Sequence, residues 1–240
     1  ELCKDREYCG GCVYQGVSYE EQLANKFGEV KGLLDSKEIK YGELIPIQPA
    51  PSRFEYRNKM EYTFGDMVKN GPTTLGMHQK GRFMSIVTVD QCQLVHPDFN
   101  AILKGTLDFV CERGYSHYHK RKHTGLMRHL IIRRGVRTGE LLINICTTSE
   151  EGFDEEAYVE MINNLPLENR IAGVLRTIND RLADAVYCDE LRILQGRDYY
   201  NEEIMGLKFR VSAFSFFQTN VEAVENLYTY AINLIDDFSN

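Results

Sequence analysis

The chain has 240 residues, 43% hydrophobic and 26% charged, with a formal net charge of −7. That length and apolar content support one large domain or two small ones with a buried core, and exclude a disordered chain. Even the most apolar stretch, Leu141 to Cys146, is far short of the roughly 20 residues a bilayer needs, so no membrane span or membrane partner is expected and a cytosolic setting is. The first residue is Glu1 and the last is Asn240, which makes an excised piece of a longer protein the expectation.

In chain order, the first feature is Cys3-x5-Cys9-x2-Cys12. Ser18 with Glu21 then forms a capping box, which starts a helix whose apolar stripe, Tyr19, Leu23, Phe27, Val30 and Leu34, ends near Ser36. Pro46, Pro49 and Pro51 force extended chain toward Arg53. From Asn58 to Val89 the pattern is strand, turn, strand, broken at Asn70-Gly71-Pro72. Asp98 is the expected cap of a second helix, stopped by Gly114. His129–Arg134 and Glu140–Thr148 read as a hairpin turning at Thr138-Gly139, followed by an acidic helix to Pro166. Ile171–Thr177, Ala185–Cys188, Arg192–Gln195 and Leu207–Ser212 are short β-prone pieces, and Val221 to Leu234 lie on an amphipathic helix expected to end near Phe238. The predicted class is α+β, an antiparallel sheet with helices on one side.

Charge is unevenly spread. Arg113, Lys120, Arg121, Lys122, Arg128, Arg133, Arg134 and Arg137 occur without one acidic residue between them, interleaved with His117, His119, His123 and His129. Such a basic stripe with aromatics fits RNA phosphates and unpaired bases in spite of the acidic total. Glu150 to Glu160 reads as a solvated helix face.

Seven cysteines, unevenly placed, argue against a disulfide framework. Three close cysteines plus one remote cysteine match what a cubane iron-sulfur cluster asks of a chain, and Cys92, between a strand and His96-Pro97, is the best fourth ligand. Gly10 and Gly11 are expected to give the loop positive φ and to aim N–H groups at sulfur. A four-cysteine zinc site and a chance grouping stay open on spacing alone. A radical S-adenosylmethionine enzyme would need one iron left free, the position Cys92 would fill.

These residues resemble the RNA uracil-5-methyltransferase family, in its cluster-containing branch acting on 23S ribosomal RNA. The resemblance rests on Cys3-x5-Cys9-Gly10-Gly11-Cys12-x2-Gln15 with Tyr19-x2-Gln22-Leu23-x2-Lys26, on Tyr56-Arg57-Asn58-Lys59, and on Cys92 ahead of His96-Pro97. It continues in Gly125-Leu126-Met127-Arg128-His129-Leu130 and in Phe216-Phe217-Gln218-Thr219-Asn220. It implies a 4Fe-4S cluster on Cys3, Cys9, Cys12 and Cys92, and S-adenosylmethionine bound with help from Gln218. Residues 1–213 would be a cluster and RNA-contacting domain, and 214–240 the opening strand and helix of a truncated Rossmann-like methyltransferase domain. In the family a cysteine thiolate adds to uracil C6, C5 takes the methyl group, and a carboxylate removes the C5 proton. The family's nucleophile has no match here, so this chain alone is expected to be inactive. Arg57, Lys59, Arg128, His129 and Phe216 are the candidate RNA contacts, with 23S ribosomal RNA favoured over transfer RNA. For Arg57 and Arg128 a purely structural role competes. A stand-alone metal-stabilised RNA-binding module and a zinc-stapled interaction domain are the other readings.

Overall fold

Ser18 opens the first helix as its spacing predicts: its hydroxyl accepts from the Glu21 N–H at 3.2 Å, and α1 runs Tyr19–Ser36. In the computed structural model, which describes residues 3–183 and 185–235, none of α1 is buried and Val30 and Leu33 are exposed. The helix is held instead by residues 50 and 53. The Ala50 N–H donates to the Tyr19 hydroxyl at 2.8 Å, and Arg53 lies over the Tyr19 ring and pairs with Glu20.

Three strands follow, β1 (Lys59–Asp66), β2 (Thr73–Gln79) and β3 (Arg82–Thr88), because Lys80-Gly81, with Gly81 at φ +68°, adds a second tight turn inside what reads in sequence as a single strand. Helix α2 (Pro97–Glu112) is capped by His96 instead of Asp98: the His96 ring accepts from the Asp98 N–H, and Pro97 occupies the first turn. Asp98 is pulled inward, where its carboxylate accepts from the backbone N–H groups of Glu168 and Asn169. The hairpin is present as β4 (Met127–Gly135) and β5 (Glu140–Thr147), and Asp154 caps the acidic helix α3 (Glu155–Asn163).

Strands β6 (Arg170–Ile178) and β7 (Glu190–Gly196) complete a seven-stranded sheet in the order β2-β3-β1-β4-β5-β6-β7, with β2 also paired to β1. The sheet is mixed, which corrects the antiparallel expectation: β5 and β6 run parallel because α3 lies between them as a crossover. Ala185–Cys188 form no strand. Tyr199–Ile204 is one, β8, hairpinned to β9 (Leu207–Ser212). The sequence hides β8 because Glu202, on the buried parity with Tyr200 and Ile204, is a carboxylate fully shielded from solvent. It is satisfied there by the N–H groups of Val136, Arg137 and Glu203.

Both faces of the central strands are covered. Leu141, Ile143 and Ile145 face the core built by α2 and α3, while Leu142 and Leu175 point the other way, onto Tyr200 and Val211 of the small hairpin. This is why β5 reads as a continuous apolar run. A Cβ at Gly135 would lie 2.4 Å from the Asn201 carbonyl oxygen, so glycine is required where the hairpin crosses β4. The final helix, α4 (Val221–Asn233), packs Val221 and Val224 on Ile204. Phe238, its expected end, lies outside the described residues. Among those residues no helix is long and apolar enough to cross a membrane.

Glu140 fastens the hairpin to the sheet. Its fully buried carboxylate accepts from Arg170, Arg197 and the Asn201 N–H. Burial pushes this carboxyl up, but the hydrogen bonds from Arg197 and Asn201 together hold it below its usual value. A depressed carboxylate stabilises the fold above its unfolded pKa, and the contribution is lost as pH falls through the folded one. Glu140→Gln is therefore expected to cost about 2 kcal/mol at pH 7, below the roughly 3–5 kcal/mol of a fully buried pair because both guanidiniums reach solvent. The difference should shrink toward pH 3 in urea titrations; wild-type and variant curves that stay parallel would refute it.

Candidate functional site

The N-terminal loop is stitched to the edge of β2. Gly10 N–H donates to the His78 carbonyl at 2.8 Å, Lys80 N–H donates to the Tyr8 carbonyl at 2.8 Å, and Lys4 pairs with Asp90 at 2.6 Å. Gly10 and Gly11 do not take positive φ, against expectation. Glycine is needed at position 10 for another reason: a Cβ there would sit 2.8 Å from the His78 carbonyl oxygen. Gly11 does aim its N–H at sulfur, 3.3 Å from Cys9 Sγ.

Cys92 arrives from the other direction. Its segment runs beside residues 55–57, with the Glu55 and Arg57 N–H groups donating to the Gln93 and Leu94 carbonyls. Asn100, one turn into α2, brackets Cys92, accepting from its N–H at 3.0 Å and donating to its carbonyl at 3.1 Å. Nothing in the sequence pairs Asn100 with Cys92, since the contact depends on how the helix docks. Cys3, Cys9, Cys12 and Cys92 then line one cavity of about 90 Å³, closed by Arg57, Met60 and Met77.

All four thiols are free. Burial pushes the thiols of Cys9 and Cys92 up, and the neighbouring cysteines push them further. Hydrogen bonds from Gly11 and Leu94 act in the opposite sense. Gathered thiols that resist ionising together are what a cation would favour, because its charge offsets both penalties. Among the described residues, however, no three His, Cys, Asp or Glu groups are arranged to hold a metal ion. The thiols wall a common space without closing on one point. Of the other cysteines, Cys146 is buried with its thiol pushed up to about 12 by burial, and Cys111 and Cys188 are exposed. None has the depressed pKa of an activated nucleophile.

A second convergence joins two motifs 160 residues apart. Asn58, 2% exposed, donates from Nδ2 to the Gln218 carbonyl at 3.0 Å and from its backbone N–H to the Thr219 carbonyl at 3.1 Å. Its own carbonyl accepts from the Arg134 N–H at 2.8 Å. The loop from Phe216 to Asn220 is thus clamped to the start of β1. Within it Phe217 packs edge-on against Phe209, Asn220 caps α4, Gln218 is half-buried, and Phe216 is 85% exposed.

The candidate RNA contacts separate. Arg57 sits on the cysteine cavity and Lys59 pairs with Glu61 at 2.5 Å. Arg128 and His129 are corrected, because both are buried in β4. The Arg128 guanidinium donates to the carbonyls of Asn179, Arg181 and Ala183 and lies 4.1 Å from the centre of the Tyr118 ring, so it is spent inside the fold. Arg133 is buried as well, and Arg113 pairs with Asp154. Arg137 is exposed but pairs with Glu225 at 2.6 Å, and in the segment from His117 to His123 Arg121 and Lys122 are exposed while the Lys120 ammonium is buried over the Phe83 ring.

No protein-family profile matches the chain. It is 42% identical over 229 residues to an uncharacterized RNA methyltransferase of Clostridium tetani, covering 95% of this chain and 50% of that protein. Similar proteins of the same description occur in Caldanaerobacter subterraneus, 43% identical over 97% of this chain and 51% of the relative, and in Clostridium acetobutylicum, 43% identical over 99% and 52%. The fold is shared, with a TM-score of 0.73 at 22% identity, with the crystal structure of Pyrococcus abyssi tRNA (uracil-54, C5)-methyltransferase in complex with S-adenosyl-L-homocysteine, over 95% of this chain and 51% of that one. Along nearly its whole length the chain is therefore similar to proteins named RNA methyltransferases, and it spans about half the length of the curated relatives it matches.

Proposed function

We propose that the chain is the cluster-bearing, RNA-facing half of an S-adenosylmethionine-dependent methyltransferase that forms 5-methyluridine in RNA, with 23S ribosomal RNA as the substrate. The observation that carries this reading is the shared cavity of Cys3, Cys9, Cys12 and Cys92, set beside the similarity to RNA methyltransferases. These four residues would hold a 4Fe-4S cluster. With every corner bound to a thiolate it would act by fastening the N-terminal loop and the Cys92 segment together, with no open site for chemistry.

S-adenosylmethionine supplies the methyl group when bound. Toward it this chain offers the Gln218 amide, on a loop whose position Asn58 fixes from two sides. Phe216 presents an exposed ring against which a base extruded from its stack can pack. The cysteine that adds to uracil C6 lies outside this chain, and Cys111, Cys146 and Cys188 all lack the environment for that role. The chain alone is then inactive.

The test is methyl transfer by the whole protein. Labelled S-adenosylmethionine is offered with 23S ribosomal RNA and with transfer RNA, and the label is located by nucleoside analysis. Label at uridine C5 of the ribosomal RNA is expected. Label in transfer RNA alone would replace the substrate, and label in neither would sink the enzyme reading in favour of a metal-stabilised RNA-binding module.

A further inference from the structure

The exposed remnant of the basic stripe is a built hairpin. Tyr118 N–H donates to the Met127 carbonyl, His119 N–H to the Thr124 carbonyl, and Leu126 N–H to the Ser116 carbonyl, so residues 116–127 close on themselves. Inside this frame the N–H groups of Arg121 and Lys122 both donate to His119 Nδ1, at 3.2 and 3.3 Å. Gly125, at φ +113°, brings the return limb so close that a Cβ would lie 2.2 Å from the His117 carbonyl oxygen. From beneath, the buried Arg128 guanidinium stacks on Tyr118. The cations at the tip are thereby carried on a fixed frame.

The hairpin, the end of β1 and the middle of β3 together line a groove of about 400 Å³. Met84 is the exposed apolar residue on its floor, with Phe64 and Ile86 buried beneath, and Lys69, Arg121 and Lys122 are exposed at its rim, whereas the Lys120 ammonium is buried over the Phe83 ring. Among the described residues lining the groove the one carboxylate, Asp66, already accepts from the Asn70 N–H at 2.8 Å. Burial lowers the pKa of His117, which keeps that ring neutral near pH 7 and able to hydrogen-bond an uncharged base edge. Cations around an apolar floor of this size suit a polymer with alternating phosphates and flat bases. A duplex buries its base faces and could not use the floor.

We infer that this groove holds an unpaired stretch of the RNA substrate, with phosphates on Lys69, Arg121 and Lys122 and a base on Met84. The inference rests on the reading that the protein acts on RNA, and it adds a contact remote from the reacting base. The clamped loop of Gln218 and the groove stand at opposite ends of β1. Asn58 to Asp66 is eight steps, roughly 26 Å at about 3.3 Å per residue. The groove therefore grips a flanking segment and contributes to binding without touching the reacting base.

The experiment uses the intact protein and a short unstructured RNA, followed by fluorescence anisotropy across a salt series. Arg121→Glu with Lys122→Glu should weaken binding about tenfold or more near 0.1 M salt and make the salt dependence shallower by roughly 0.7 in log-log slope per lost phosphate contact. Both side chains are exposed, and an unchanged circular dichroism spectrum checks the fold. Lys69→Ala, on a different element, should weaken binding to a smaller extent. In methyl transfer the double variant should raise KM and leave kcat close to wild type. Equal RNA affinity of variant and wild type would overturn the groove assignment and leave the methyltransferase reading standing. Failure of the wild type to bind any RNA would overturn both. Polyglutamate competing as well as RNA would mark the groove as a site for acidic protein and overturn it too.

Discussion

Cys92→Ser is expected to abolish stable retention of an iron-sulfur cluster. Wild type prepared and reconstituted without oxygen should carry about four irons with matching sulfide and absorb broadly near about 400 nm, and the variant should lose most of both. The reason lies in the geometry: Cys92 is the wall of the cavity contributed from 80 residues away, and Asn100 fixes its backbone on both sides. Removing its sulfur leaves three thiols on a loop that touches the sheet edge mainly through backbone bonds at Tyr8 and Gly10 and one exposed ion pair at Lys4. Thermal stability of the loaded protein should fall with the iron, since the cluster would tie this loop to the body of the fold. Cys111→Ser, on the outer face of α2, is the control and should change neither. One zinc per chain in wild type would replace the cluster with a mononuclear site. Wild type with neither metal would remove the resident group altogether.

Arg128→Ala is expected to destabilise the chain by about 4 kcal/mol in urea unfolding. Hydrogen bonds from a charged donor contribute about 1.5–3 kcal/mol each, less than additively when they share one guanidinium. Here three carbonyls, of Asn179, Arg181 and Ala183, lose their donor at once, and the Tyr118 ring loses its stacking partner. Arg128→Lys should recover only part of the loss, because an ammonium cannot serve a fan of three carbonyls and stack on a ring as well. If Arg128→Ala unfolded like wild type and only weakened RNA binding, the residue would be a surface contact after all. The same substitution should also loosen the 116–127 hairpin, so some loss of RNA affinity accompanies the loss of stability.

Local rules read from the sequence were sufficient wherever a neighbour in the chain supplies the partner. The cap at Ser18 and the turn at Thr138-Gly139 both depend on residues a few positions apart, and each is where the spacing puts it. The cap of α2 moved from Asp98 to His96 because a distant segment, residues 168–169, claims the Asp98 carboxylate. Strand β8 was hidden for the same kind of reason, since Glu202 finds its donors at residues 136 and 137. The parallel pairing of β5 with β6 likewise follows from where α3 lies, which periodicity does not record.

For the candidate site, residue types and spacing determined by themselves that three cysteines crowd one loop, that a fourth is available, and that cations concentrate between residues 113 and 137. Only the tertiary structure decided that Cys92 joins the trio's cavity, that Asn58 ties the Gln218 loop to β1, and which cations reach solvent. The physical reason is that a charge's role depends on what surrounds it. The same guanidinium is an RNA contact when hydrated and an internal strut when three carbonyls and an aromatic ring replace its water, and the carbonyls come from residues some fifty positions further along the chain.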